Sequence, residues 1–149
     1  MRKRLAHLWE THPQQDLLSP TELLILASIV ERESGSNEDR SKIARVFLNR
    51  LKKGMRLQSD PTVIYGLGVA FDGDLKRRHL TSDGPFNSYT RAGLPPTPIC
   101  NPGASALAAV LTPAEGDWLY FVGRGDGSSQ FSLDLTAHNR AVNQYQRGK

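Results

Sequence analysis

The chain has little cysteine and no long apolar run. Its 149 residues include a single cysteine, Cys100, so no disulfide can form within the chain and no zinc site can be built from cysteine thiolates. The longest apolar stretch, residues 23–30, is far shorter than the ~20 residues that span a bilayer. Residues 1–4 are basic like the start of a signal peptide, but no apolar core follows them. We therefore expect a soluble fragment that neither exports nor anchors itself.

The chain also lacks a strong excess of either charge. Lysine and arginine number 19 and aspartate and glutamate 15, which gives a net charge of +4. The basic residues of 42–56 are assigned to a solvated helix face, and the run at 76–79 has no interleaved aromatic residues. We therefore expect no nucleic-acid partner. The four histidines have no His-x-x-x-His spacing, so we also expect no metal site and no cofactor.

Helix signals are clear in the first half of the chain. Ser19 and Glu22 form a capping box that predicts a helix from Pro20 to about Ser34. A second helix follows almost without a loop, and Gly54 predicts its end. Residues 55–58 and the β-branched run at 62–65 favour short strands.

The second half begins with a long segment, residues 71–98, that is rich in glycine and proline and has little periodicity. A helix then opens after Asn101-Pro102, residues 118–122 and 130–132 favour a hairpin, and residues 135–146 form a last helix. The predicted fold is therefore α+β. Helices at both ends pack on a small antiparallel sheet, and the long loop region forms a groove.

Glu31 is the carboxylate with the most suggestive position. It shares one side of the first helix with Leu24, Ala27 and Ser28, and it lies in the last helical turn. Burial and the negative end of the helix dipole would raise its pKa and suit it to general acid catalysis. An exposed Glu31 that pairs with a basic residue of the second helix is the alternative. Glu33 lies about 200° around the helix, so we expect it to face away from any cleft that Glu31 faces, as a capping or ion-pairing residue.

Polar residues of the loop region form a second candidate group. Their amides, hydroxyls and carboxylate are the types that bind sugar hydroxyls, and Tyr65 and Phe86 could pack on a sugar ring. Turn formation by the same residues is an equally good explanation. The candidate substrate-binding residues are Gln58, Asp60, Tyr65, Asn87, Ser88 and Tyr89.

Six segments resemble one bacterial protein family, in the same order and at similar spacing over residues 18–147. They are Ala27–Glu33, Val46–Leu51, Gly54–Gly68, Asn87–Tyr89, Gly93–Ile99 and Leu119–Val122. The family is that of the YceG-like endolytic murein transglycosylases. The resemblance implies a catalytic domain at 19–149, after a tail or module remnant at 1–18.

The resemblance also implies an activity. Family members cleave the β-1,4 bond between N-acetylmuramic acid and N-acetylglucosamine without water, and leave a 1,6-anhydro end. A single glutamate acts as acid and then as base, and the family motif places it at Glu31. No second carboxylate is required, because the substrate's own C6 hydroxyl attacks. A hydrolase and a non-catalytic glycan-binding module are the alternatives.

The family resemblance further implies partners and a location. Peptidoglycan strands are the substrate, and cell-wall synthases are further candidate partners. Family members are held at the outer face of the cytoplasmic membrane by an N-terminal helix that this chain lacks.

Overall fold

The computed structural model describes residues 18–33 and 37–147. Within these residues the chain forms six α-helices and one two-stranded antiparallel sheet, so the predicted α+β class is confirmed. In chain order the elements are α1 (Pro20–Glu33), α2 (Asn37–Lys53), α3 (Asp60–Leu67), α4 (Arg77–Thr81), α5 (Ala104–Leu111), β1 (Tyr120–Gly123), β2 (Ser129–Ser132) and α6 (Leu135–Val142). A 3-10 turn, Gly68–Ala70, follows α3, and a π-helical turn, Asn143–Arg147, follows α6. The predicted tail at 1–18 lies outside the described residues, except for Leu18.

The first two helices have the boundaries that the sequence predicts. The Ser19 N–H donates to Glu22 Oε1 at 3.0 Å, and the Glu22 N–H donates to Ser19 Oγ at 3.1 Å, which is the reciprocal capping box. α2 ends at Lys53, and Gly54 follows with φ 72°, a conformation that glycine adopts without strain.

The core lies where α1, α2 and α5 pack together. α1 is buried on several sides, since every residue from 23 to 30 except Leu24 is buried. The largest fully buried side chains of the three helices are Leu23, Leu26, Ile29, Val30, Ile43, Val46, Phe47, Leu107, Val110 and Leu111. In the part of the chain that the structure describes, no helix has both the length and the apolar character needed to cross a membrane.

The predicted hairpin is confirmed as β1 and β2. Phe121 pairs with Phe131 across the two strands. The Phe121 ring meets the ring of Phe47 edge-on at 5.8 Å, which joins the sheet to α2. The last helix, α6, packs against both strands.

Side chains of α2 hold the segment that leads into the hairpin. Arg45 Nε donates to the Ala114 carbonyl at 2.6 Å. Asn49 Nδ2, one helical turn later, donates to the carbonyls of Gly116 and Trp118 at 3.1 and 2.9 Å. The assignment of the basic residues of this helix to a solvated face is therefore wrong for Arg45, because its guanidinium bonds a distant backbone.

The two short strands predicted at 55–58 and 62–65 are not found. Residues 55–59 form an irregular connection, in which Gln58 has φ 53°, and Asp60–Leu67 is the helix α3. Pro61 lies in the first turn of this helix, where its missing N–H costs nothing. Thr62 and Val63 are buried by packing, which outweighs the β preference of branched side chains.

Candidate active site

A cleft of about 520 Å³ opens between the ends of α1 and α2, the start of α3, the hairpin and α6. Its polar and aromatic lining residues include Glu33, Arg50, Gln58, Asp60, Tyr89, Tyr120 and His138. These side chains come from segments far apart in sequence, and the packing of the elements brings them together.

Glu33 supplies the carboxyl group with the most perturbed ionisation. It is the last residue of α1, and the Ser59 hydroxyl donates to its Oε1 at 3.2 Å. Burial raises the pKa of Glu33 to about 7, the Ser59 hydrogen bond opposes this, and the negative charge of Asp60 adds to it. Among the described residues, no lysine, arginine or histidine lies within 4.0 Å of this carboxyl group. Glu33 therefore populates both its protonated and its ionised form near neutral pH.

The buried hydroxyl groups of Thr62 and Ser88 hold Ser59 in place next to Glu33. The Ser59 N–H donates to Ser88 Oγ at 2.8 Å, and Thr62 Oγ1 donates to the Ser59 carbonyl at 2.7 Å. The hydroxyls of Thr62 and Ser88 also lie 2.7 Å apart. Ser59 is 1% exposed. Its hydroxyl is therefore fixed in the direction of Glu33.

Asp60 and Tyr89 form a hydrogen-bonded pair that also lines the cleft. The Tyr89 hydroxyl donates to Asp60 Oδ1 at 2.5 Å. Burial, and then the hydrogen bond to Asp60, raise the pKa of Tyr89, so the phenol stays protonated. The pair gives the cleft a second carboxylate and a fixed phenol.

Arg50, Tyr120 and His138 form a stack that also lines the cleft. The Arg50 guanidinium lies 4.9 Å from the centre of the Tyr120 ring, and the His138 ring stacks on Tyr120 at 4.9 Å. Burial, together with the charge of Arg50, lowers the pKa of His138, so the imidazole is neutral at pH 7.

Arg50 is a residue that the sequence interpretation missed. From the sequence, Arg50 is expected on a solvated helix face, but its side chain is buried. Arg50 is 7% exposed, and burial lowers its pKa. Its Nε donates to the Leu119 carbonyl at 2.7 Å, and its Nη1 donates to the Arg56 carbonyl at 2.9 Å. The signal was present in the spacing, because Arg50 follows Ile43 and Phe47 on the apolar side of α2.

Glu31 lies outside this cleft. Its Oε2 pairs with Arg40 of α2 at 3.3 Å, and its Oε1 accepts the Gly103 N–H at 2.7 Å. Its side chain is 26% exposed. The expected burial is therefore wrong for Glu31. The structure instead contains the alternative, an ion pair between Glu31 and a basic residue of the second helix. The two glutamates do lie on different sides of α1, as expected, but Glu33 is the one in the cleft, and it forms no ion pair with any described residue.

Three of the six loop candidates line the cleft, and three do not. Gln58, Asp60 and Tyr89 line the cleft with Glu33. Tyr65 does not. It is 46% exposed and packs on the Phe86 ring at 4.9 Å. The remaining two, Asn87 and Ser88, are buried.

Asn87 and Ser88 use their polar groups within the fold. Asn87 Nδ2 donates to the backbone carbonyls of residues 79, 80 and 82, and its Oδ1 accepts the N–H groups of residues 89 and 90. Ser88 bonds Ser59 and Thr62, as described above. These two residues hold the loop that carries Tyr89, in line with the turn-forming explanation.

Replacement of Asn87 by alanine is expected to destabilise the fold by about 2 kcal/mol, because several partly buried backbone groups lose their hydrogen-bond partner. Urea unfolding measures this difference. Asn101→Ala is the matched control, since Asn101 is exposed and its side chain makes no hydrogen bond to the described residues. Equal stability of the two variants would contradict the role of Asn87.

Comparisons with known proteins agree on one relationship. The model of the YceG-like family matches residues 1–144. A Bacillus subtilis (strain 168) protein named endolytic murein transglycosylase is 42% identical over 92% of this chain. A protein of the same name from Streptococcus pneumoniae serotype 2 is 32% identical over 100% of this chain. This chain spans 38% and 28% of the lengths of these two relatives.

A solved structure gives the same result. The crystal structure of a YceG-like protein from Listeria monocytogenes is similar with a TM-score of 0.81 and 40% sequence identity. The match covers 93% of this chain and 44% of that protein.

Proposed function

This chain belongs to the YceG-like family, and from that premise we propose that it is the catalytic part of an endolytic murein transglycosylase. The proposed reaction cleaves the β-1,4 bond between N-acetylmuramic acid and N-acetylglucosamine within glycan strands. The observation that carries the proposal is Glu33, a glutamic acid in an open cleft whose pKa is raised to about 7, so that it can both donate and accept a proton near neutral pH. The names of the two relatives support the substrate class.

Glu33 takes the acid and base roles in this proposal, in place of Glu31. The Glu33 carboxyl group donates its proton to the glycosidic oxygen, and the bond from this oxygen to muramyl C1 breaks. The muramyl O6 then bonds to C1, and the Glu33 carboxylate accepts the O6 proton. The anhydro ring closes, the glutamic acid is restored and no water is consumed. The family motif favours Glu31, but Glu31 is ion-paired to Arg40 outside the cleft.

The other cleft residues support this chemistry. Ser59 fixes the direction of the Glu33 carboxyl group. Asp60 and Tyr89 offer an acceptor and a donor for sugar hydroxyls, and the negative charge of Asp60 would stabilise positive charge that develops at C1. Gln58 adds an amide at the same edge. Asn87 and Ser88 position these groups, because Asn87 bonds the Tyr89 backbone and Ser88 bonds the Ser59 backbone.

Hydrolysis is the second candidate outcome, because Asp60 gives the cleft a second carboxylate beside Glu33. Glycosidases that use two carboxylates activate water or form a glycosyl-enzyme intermediate. In such a mechanism Asp60 would take the second role.

Product mass separates these outcomes. We expect purified strands treated with this protein to yield fragments with 1,6-anhydro ends, which are one water lighter than the reducing-end fragments of hydrolysis. Mass spectrometry of the digest, with a known muramidase digest as the control, makes the measurement. Reducing-end products would indicate the hydrolase, and binding without any product would indicate a glycan-binding module.

The family context extends to location and partners. We propose that residues 19–149 form the catalytic domain of a longer envelope protein that acts at the outer face of the cytoplasmic membrane. Peptidoglycan strands are its substrate, and cell-wall synthases are its candidate partners.

A further inference from the structure

A second depression continues the cleft beyond Gln58. Its volume is about 450 Å³, and its walls include Gly54, Met55, Arg56 and Ala92. Arg50, Gln58 and Tyr120 line both spaces, so the two are contiguous. A strand that lies in the cleft would therefore extend a substituent into this depression.

The depression differs from the cleft in charge. The cleft contains the carboxyl groups of Glu33 and Asp60, whereas none of the described residues that line the depression is acidic. Arg50 and Arg56 supply two guanidinium groups to it. The local potential therefore favours a negative group.

Neither guanidinium has a carboxylate partner among the residues that the structure describes. Arg50 donates to backbone carbonyls and to Gln58 Oε1, and no carboxylate of the described residues lies within 4.0 Å of it. The exposed side chain of Arg56 has no hydrogen bond or ion pair to any described residue. An anion in the depression would therefore meet a buried positive charge and an available planar donor.

The partial negative charge at the C-terminal end of α2 repels such an anion only weakly. The carbonyls of residues 50 and 51 already accept the N–H groups of Met55 and Gly54, at 2.8 and 3.2 Å.

We propose that this depression binds a carboxylate of the stem peptide carried by the muramyl residues, with Arg56 as its main ligand. The inference rests on the proposed function, because the substrate must be a peptide-bearing glycan. The sugar rings and their acetamido groups are neutral, so the peptide carboxylates are the anions that such a strand brings to the depression. Arginine suits this role because it can bind a carboxylate through two parallel hydrogen bonds.

The test compares strands with free peptide carboxylates and the same strands after conversion of those carboxylates to amides. Both are freed of phosphate polymers and labelled with a fluorophore, and the dissociation constant is measured by anisotropy. We expect amidation to weaken binding to the unmodified protein about fivefold, the size of a partly exposed charge-assisted contact. Arg56→Gln should weaken binding to the free-carboxylate strand by a similar factor and bind both strands equally.

Lys53→Gln is the matched control, because it removes the same charge from a neighbouring exposed position outside the depression. It should distinguish the two strands as the unmodified protein does. If Arg56→Gln still distinguishes them fully, or if the unmodified protein does not distinguish them, the proposal is wrong. Cleavage of the same strands is followed separately. A protein that binds without cleaving contradicts the proposed function and leaves the carboxylate comparison intact.

Discussion

Replacement of Glu33 by glutamine is expected to lower the rate of glycan cleavage about a thousandfold. Glutamine keeps the shape of the side chain and can still accept the Ser59 hydrogen bond, but it cannot donate a proton to the leaving oxygen. General acid–base catalysis contributes on the order of 10²–10⁴ in rate, and in the proposed reaction one group performs both steps. The measurement is the initial rate of release of soluble fragments from purified strands, with strand binding measured in parallel.

Glu31→Gln is the matched control for this prediction. It makes the same chemical change two residues away on the same helix, outside the cleft, and its amide oxygen can still accept the Gly103 N–H. The ion pair with Arg40 is partly exposed, so we expect a loss of stability of less than about 1 kcal/mol and nearly unchanged cleavage. The opposite pattern, with an inactive Glu31→Gln and an active Glu33→Gln, would restore the role that the family motif gives to Glu31.

Glu33→Gln is also expected to stabilise the fold at alkaline pH, by up to about 3 kcal/mol. Burial raises the pKa of Glu33 from 4.5 to about 7 in the folded chain. Between these two pH values the folded state binds more protons at this site than the unfolded state, so the unmodified protein loses stability as the pH rises. Above about pH 7 the full cost of the buried charge is present. Glutamine has no charge to bury.

Urea unfolding of both proteins at pH 5 and pH 8 tests this second prediction. The difference in the free energy of unfolding between Glu33→Gln and the unmodified protein should be larger at pH 8 than at pH 5. A difference that does not change with pH would show that the Glu33 pKa is not raised in the folded state.

The expected loss of activity and gain of stability together would explain why position 33 carries a glutamic acid. A protonated glutamic acid in a cleft is useful for proton transfer near neutral pH, and the same burial that keeps its proton lowers stability when the proton leaves. A variant that is more stable and inactive is the combined result that this explanation requires.

The sequence by itself determined the elements whose signals are local. The capping box at Ser19 and Glu22 predicts the start of α1, because its hydrogen bonds connect residues only three apart. Gly54 predicts the end of α2, and the glycine-rich segment between two β-rich runs predicts the hairpin. Local signals failed at residues 62–65, where burial of Thr62 and Val63 in a helix outweighs the strand preference of their side chains.

The tertiary structure decided which glutamate lies in the cleft. Helix geometry correctly separates Glu31 and Glu33 around α1, but it cannot say which side faces a cleft, because α1 is buried on several sides. Arg40 and the Gly103 N–H pair with Glu31, while Ser59 and Asp60 come to Glu33. These partners are 9 to 72 residues away along the chain, and only packing fixes where they meet α1.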